Sequence, residues 1–237
     1  MKRQVTVLLA LVASVGIGAA AQAQTKKAFT IGEVEILDKA AYEALTKVTG
    51  PEIQKAGGRG LNTTLGKIIP RVGEAPKAVI IVQWDSLEKA QAYLDSAEFK
   101  SHAPQRDKAY KAIRVYYVEA NNPDFIGFTL QGSKPTAYWL REFEVTDQAA
   151  YDNTLNTIRA NSGLLERLQE ANRQTGRQAT GTANGKVVAR TGEAPKHVAM
   201  QGFPSLEQAE AYLKVVATAQ LPQTTKTIRE YIVEAAP

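Results

Sequence analysis

The chain has 237 residues, two histidines and no cysteine, and its formal net charge is +5. The lack of cysteine excludes disulfides, thiolate metal sites and a cysteine nucleophile. Basic residues alternate with acidic ones instead of forming the concentrated basic face of a nucleic-acid-binding protein, so no nucleic-acid partner is predicted.

The first 23 residues have the pattern of a secretory signal peptide. Lys2 and Arg3 precede an uncharged apolar run over residues 5–20, and Ala21-Gln22-Ala23 places small side chains before the expected cut. An uncleaved membrane anchor is the alternative, but the run is at the short end of the about 20 residues that span a bilayer. We expect cleavage, a periplasmic or secreted protein, and no membrane attachment afterwards.

Residues 24–120 predict a first β-α-β-β-α-β unit, which is a ferredoxin-like order. The apolar and β-branched patterns place strands at residues 29–36, 59–69, 77–84 and 113–118. Asp38 and Ser86 are predicted to cap the two helical regions, the second with a further stretch at 98–111. Pro51 is expected to kink or restart the first helix, which Gly57-Gly58 then ends.

Residues 121–136 contain two prolines and two glycines and are predicted to be a linker. A second unit follows over residues 137–237, with Asp147 as the cap of its first helix. Its strands are predicted at residues 138–145, 186–190, 198–203 and 230–233.

The second unit repeats the first in sequence as well as in pattern. Gly73-Glu74-Ala75-Pro76-Lys77 recurs as Gly192-Glu193-Ala194-Pro195-Lys196, and the helix that begins near Ser86 recurs near Ser205 at the same offset. The second copy carries about ten extra residues around 161–173 and lacks four before its last strand. We therefore predict two diverged copies joined head to tail.

Each unit would be a four-stranded sheet with helices on one face only, so the other face must be covered. The third strand has a continuous apolar run, Val79 to Val82, which is typical of a strand buried on both faces. We predict an α+β fold in which the two sheets close into a barrel within one chain. The alternative is two independent domains, and further self-association stays open.

Each copy resembles the bacterial family called domain of unknown function 1330, within the dimeric α+β barrel superfamily. The residues that carry this resemblance are Asp38 with Tyr42, Gly57-Gly58-Arg59, Trp84-Asp85-Ser86, Ser96-x-Glu98-Phe99 and Arg106. The resemblance implies the barrel pairing and no established activity. Its superfamily includes cofactor-free oxygenases, isomerases and haem-dependent enzymes, so the fold does not decide the function.

The predicted ligand-binding residues are Arg59, His102, Arg106 and Tyr110, in a pocket between the sheet and helices of the first copy. Two guanidinium groups could together bind an anion such as a carboxylate. The alternative is that Arg59 pairs with a neighbouring side chain and Arg106 lies on a solvated helix face. In the second copy the segment that holds Arg106 shrinks to Leu221-Pro222-Gln223-Thr224 and has no arginine, so any site lies in the first copy if the family uses that arginine.

Other combinations of residues predict no catalytic centre. Glu33 aligns with Glu142, and Glu35 with Glu144; these pairs are interpreted as outward rows of two equivalent strands. His102 and His197 lie at non-equivalent positions without a shared carboxylate spacing, so no metal site is predicted.

Three functions remain open from the sequence. The first is an exported module that binds a small organic acid without a cofactor. The second is a cofactor-independent oxygenase or isomerase that uses the same pocket, and the third is a structural protein with a filled core.

Overall fold

The computed structural model describes residues 26–121, 134–219 and 223–236. The predicted signal peptide and most of the predicted linker lie outside these residues. Among the described residues, no helix has the length and apolar character needed to cross a bilayer.

The first half contains five strands and four helices. They are β1 (Ala28–Ile36), α1 (Lys39–Lys55), β2 (Gly58–Gly60), β3 (Ile68–Val72), β4 (Ala78–Trp84), α2 (Leu87–Asp95), α3 (Ala97–Ser101), α4 (Ala103–Ala109) and β5 (Tyr110–Glu119). The second half has the same general order. Its elements are β6 (Ala137–Val145), α5 (Gln148–Ala160), α6 (Ser162–Thr175), β7 (Gln178–Ala179), β8 (Val187–Thr191), β9 (His197–Phe203), α7 (Leu206–Thr218) and β10 (Thr225–Glu234).

Side-chain caps fix where the main helices begin. Asp38 accepts a hydrogen bond from the Ala41 backbone nitrogen at 2.9 Å, and Asp147 accepts one from Ala150 at 2.9 Å. Ser86 caps α2 by accepting from the Lys89 backbone nitrogen at 3.3 Å. These bonds satisfy backbone donors that have no partner within the helix, and they confirm the predicted caps.

Two predictions about the first half were wrong. Pro51 does not interrupt α1, which continues to Lys55; Pro51 and Lys47 are exposed, so the carbonyl left without a helical donor can be hydrated. The single strand predicted over residues 59–69 is two strands, because Asn62 takes a left-handed φ of 58° and redirects the chain.

Breaks at Asn62 in the first half and at Gly181 in the second, where φ is 73°, each precede a strand that joins the sheet of the other half. The first sheet has the order β2-β4-β1-β5-β8, and the second has the order β3-β10-β6-β9-β7. Thus β8 completes the first sheet by pairing with β5, and β3 completes the second by pairing with β10. The fold is α+β with two sheets whose end strands are exchanged between the halves.

The inner faces of the two sheets share one apolar interior. Its members come from both halves and include Phe29, Ile31, Tyr116, Val118, Tyr138, Leu140, Tyr231 and Val233, all nearly or fully buried. The helices cover the outer faces, where separate apolar clusters form. The predicted closure of the two halves over a common interior is confirmed.

Four charged side chains lie inside this interior, and they correct the prediction that Glu33 and Glu142 face outward. Both carboxylates are about 95% buried, at 4% and 5% exposure. The Arg114 Nη2 donates to Glu33 Oε1 at 2.6 Å, and the Arg229 Nη2 donates to Glu142 Oε1 at 2.6 Å. Each arginine also contacts the other glutamate. These four residues are called the barrel charge cluster below.

Burial sets the protonation of this cluster. Desolvation raises the pKa of Glu142 to about 7 and also raises the pKa of Glu33, while the neighbouring Arg114 opposes both shifts. Glu35 and Glu144, the other pair that the sequence placed outward, do lie at the surface, where their carboxylates pair with Lys77 and Lys196.

Removing one arginine of the barrel charge cluster should destabilise the protein strongly. In Arg229→Met, two buried carboxylates share a single guanidinium, and loss of one partner of a buried pair costs about 3–5 kcal/mol. Urea unfolding followed by circular dichroism measures the loss. The exposed pair supplies the control, since Lys77→Met should leave the unfolding midpoint nearly unchanged. Equal effects in the two variants would contradict the burial of this cluster.

The stability should also fall as the pH rises from about 4.5 to about 7. In this window folded Glu142 keeps a proton that the unfolded chain, with an ordinary carboxyl pKa of 4.5, has already released. The folded state therefore binds more protons, and its free energy of unfolding decreases with pH. Urea titrations across this range should show a steeper fall for the natural protein than for Glu142→Gln; parallel slopes would contradict the raised pKa.

Candidate functional site

A cavity of about 530 Å³ lies between the first sheet and its helices. Strands β1, β4 and β5 form its floor, and α1 to α4 form its walls. Most of its lining is apolar or aromatic, including Leu45, Ile53, Ile80, Trp84 and Phe99. The Trp84 indole nitrogen donates to Thr30 Oγ1 at 2.9 Å, so its polar group is already satisfied.

Gly32 keeps the floor of this cavity open. A Cβ built at Gly32, in the middle of β1, would only reach ordinary contact with Ile80 and Val115, at 3.8 Å each. The position before the buried glutamate in β6 is instead Arg141. Its guanidinium donates to Thr227 Oγ1 at 2.8 Å and to Thr225 Oγ1 at 2.6 Å. The outer face of the second sheet is therefore filled at the place where the first is open.

Arg106 brings an uncompensated positive charge to the cavity wall. Its Nη1 donates to the Phe99 carbonyl at 2.5 Å, and its guanidinium carbon lies 4.0 Å from the centre of the Phe99 ring. Among the described residues it forms no ion pair with a carboxylate. The stacking and the carbonyl hold the guanidinium in place while leaving donors for a bound anion.

Two tyrosines stand beside this cation. The Tyr42 hydroxyl donates to Thr64 Oγ1 at 2.6 Å, and the Tyr110 ring meets the Tyr42 ring edge-on at 6.2 Å. Burial raises the pKa of Tyr110 to about 12, although Arg106 lowers it, and burial also raises the pKa of Tyr42. Both hydroxyls are therefore neutral near pH 7; Tyr42 already donates its proton to Thr64, which leaves the Tyr110 hydroxyl as the donor for a ligand.

The second half contributes a further cation that the sequence prediction missed. Arg190, on the exchanged strand β8, lines the cavity, but its Nη1 already donates to Asp95 at 2.8 Å. It also donates to the Leu94 carbonyl at 2.8 Å and to the Tyr117 hydroxyl at 3.0 Å. Because these acceptors occupy its guanidinium, Arg190 serves to hold β8 against α2.

The structure divides the four predicted site residues into two groups. Arg106 and Tyr110 line the cavity together, whereas His102 and Arg59 do not. His102 Nε2 lies 3.0 Å from Glu52 Oε1, and that carboxylate also accepts from Tyr93 at 3.3 Å. Arg59 is exposed on β2 and donates to Gln83 Oε1 at 2.7 Å, inside a separate open groove.

One signal in the sequence could have identified the cavity. Glu33 aligns with Glu142, so Gly32 aligns with Arg141. Where one copy has a glycine and the other has a long side chain at the same strand position, the space beside the two strands must differ. The roles of Trp84 and Arg190 had no comparable signal, because they depend on which strand joins which sheet.

The lining of this cavity does not fit the usual ligands of haem iron, the group used by some enzymes of the superfamily that the sequence resembles. Its described residues include no histidine, cysteine or methionine. Tyr42, Tyr93 and Tyr110 remain, but the raised pKa of each opposes the phenolate form that an iron ligand requires. Nor do the described residues hold a cluster of three or more histidine or acidic side chains suited to a metal ion.

Filling the floor of the cavity should stabilise the fold. Gly32→Ala should raise the free energy of unfolding by about 0.5–1 kcal/mol, because glycine weakens a strand interior and the added methyl group has space. Gly66→Ala is the control, since its Cβ would lie 1.7 Å from the Glu234 carbonyl oxygen and should destabilise the protein. Thermal unfolding of both variants tests this; a comparable loss in Gly32→Ala would mean that the cavity is closed.

Comparisons with known proteins agree with this architecture. Residues 27–121 match the model of the family described as Domain of unknown function (DUF1330). No curated protein matches the sequence.

Among solved structures, TA0507, named as a candidate chlorite dismutase, is similar over 90% of this chain and 96% of its own, with 10% identity and a TM-score of 0.53. A mutant chlorite dismutase from Candidatus Nitrospira defluvii is similar over 89% of this chain and 91% of its own, with 9% identity and a TM-score of 0.50. At such low sequence identity, the structural similarity supports a shared fold and no shared function. The chain thus contains one domain of the DUF1330 family, at residues 27–121, within a fold of the chlorite dismutase-like dimeric α+β barrel type.

Proposed function

We propose that the protein is an exported module that binds a small organic anion in the cavity of its first half. Export is inferred from the signal pattern of the first 23 residues, and it makes the mature chain periplasmic or secreted. We also propose that residues 137–237 are a second, diverged copy of the domain. Sequence blocks at a constant offset, and the mirrored order of the two sheets, support that proposal.

The observation that carries the binding proposal is the unpaired guanidinium of Arg106 in an apolar cavity. A cation removed from bulk water without a counter-ion is costly, and a carboxylate placed beside it would recover that cost. The Tyr110 hydroxyl, which has no hydrogen-bond partner among the described residues, can donate to a second oxygen of the ligand. Aromatic and aliphatic walls then favour an apolar body on the same molecule.

The described lining favours binding over the catalytic alternative. An isomerase or oxygenase that removes a proton from its substrate needs a base within hydrogen-bond reach. Asp107 is the single carboxylate among the described lining residues, and it is exposed at the rim. His102, the nearest imidazole along the chain, is engaged with Glu52 instead. The cavity therefore presents a cation and neutral donors, which suit recognition of an anion.

Arg106→Met should remove the preference for a negative charge. The test compares 2-naphthoate with the uncharged 2-naphthalenemethanol by isothermal titration calorimetry on residues 24–237. A charge-assisted hydrogen bond contributes about 1.5–3 kcal/mol, so naphthoate affinity should fall roughly 10- to 100-fold. The affinity for the alcohol should change much less, because it makes no ionic contact.

Two further variants control this measurement. Arg173→Met removes an exposed arginine on α6 and should bind both compounds as the natural protein does. Gly32→Leu should block the binding of both compounds, because the leucine side chain would enter the cavity. Arg141 occupies the equivalent position in the second half. Unchanged naphthoate binding in Arg106→Met would contradict the assignment of the anion site.

A further inference from the structure

A second space adjoins the cavity at one end of the barrel. It is an open groove of about 1220 Å³ between β2 and β7, which are the end strands of the two sheets. Its described lining comes from both halves and includes the cations Lys26, Lys27 and Arg59. Its one described carboxylate, Asp85, is paired with Lys89 at 2.6 Å.

The groove and the cavity have a common wall. Gly50, Gly60, Leu61 and Trp84 line both spaces. Gly50 belongs to α1 and Gly60 to β2, and a Cβ built at either glycine meets no heavy atom within 4 Å. The side of the cavity that faces the groove is therefore framed by two residues without side chains, next to open space.

We propose that the entrance to the cavity lies between Gly50 and Gly60, and that Arg59 guides anions into it. The inference rests on the proposed function, because it concerns the route to the same site. Arg59 donates to the neutral Gln83 and forms no ion pair with a described carboxylate, so its positive charge acts on the groove. A cleft lined by charge of one sign raises the local concentration of the opposite charge and speeds association.

This arrangement explains why Arg59 and Arg106 belong to one site without lying in one cavity. Arg59 is exposed and screened by water, so it acts through the association rate constant and changes the affinity only by that same factor. Arg106 is half-buried beside Phe99 and contributes to the stability of the bound state. The two arginines act in sequence on the same anion.

Blocking this entrance should slow entry and exit equally without changing affinity. The chain has no cysteine, so Gly60→Cys carries a single thiol that N-benzylmaleimide modifies selectively. Stopped-flow mixing with 2-naphthoate, followed by its fluorescence, should give natural rates before labelling and rates about tenfold slower in both directions afterwards. The unlabelled variant shows that the fold is intact, and Gly163→Cys with the same label is the matched control at an open helical position.

Arg59→Gln should affect association alone. Its association rate constant should fall severalfold at low salt and approach that of the natural protein at high salt, with an unchanged dissociation rate.

Labelled Gly60→Cys that exchanges naphthoate at the unlabelled rates would overturn the proposed entrance and indicate entry at the Asp107 rim. Slowed exchange in that variant, combined with unchanged affinity in Arg106→Met, would keep the entrance and reject the anion site. Absence of naphthoate binding in the natural protein would reject both.

Discussion

The structure depends on the mutual covering of two sheet faces. A four-stranded sheet with helices on one side leaves an apolar face that water would contact, and here each half supplies the cover for the other. The exchange of β3 and β8 strengthens this closure, because each sheet gains backbone hydrogen bonds from the opposite half. The cavity of the first half accordingly lies outside this shared interior, on the outer face of the first sheet and beneath its helices.

The interior is not purely apolar, and its charges are matched within the chain. The barrel charge cluster takes one glutamate and one arginine from each half, which pair within that half, and the contacts Arg114–Glu142 and Arg229–Glu33 join the two halves. Such a cluster contributes little net stability compared with apolar packing, yet each member is costly to remove. We interpret it as a constraint on how the halves align, because a shifted register would leave buried charges without partners.

The two outer faces have diverged although the framework is common. Gly32 leaves space over the first sheet, whereas Arg141, Phe143 and the helix α6 occupy the corresponding region of the second.

The extra residues near 161–173 had been recognised in the sequence, and they form most of α6. Helix order, caps and closure were also predictable, because they depend on local patterns and on the need to bury apolar faces. The exchange of β3 and β8 was not predictable, since it depends on the turns at Asn62 and Gly181. The inward direction of Glu33 was missed because an alternating strand pattern does not say which face meets another sheet. Arg59 and Arg106 were assigned to one pocket because their positions along the chain do not show that Arg59 lines the groove while Arg106 lines the cavity.

We propose that the natural protein holds an organic anion on the outer face of its first sheet. Native mass spectrometry of the chain isolated from its own cells tests this most directly. We expect one small acid retained per chain in the natural protein and none in Gly32→Leu prepared in the same way. A natural protein that carries no such molecule, or equal retention in both preparations, would contradict it.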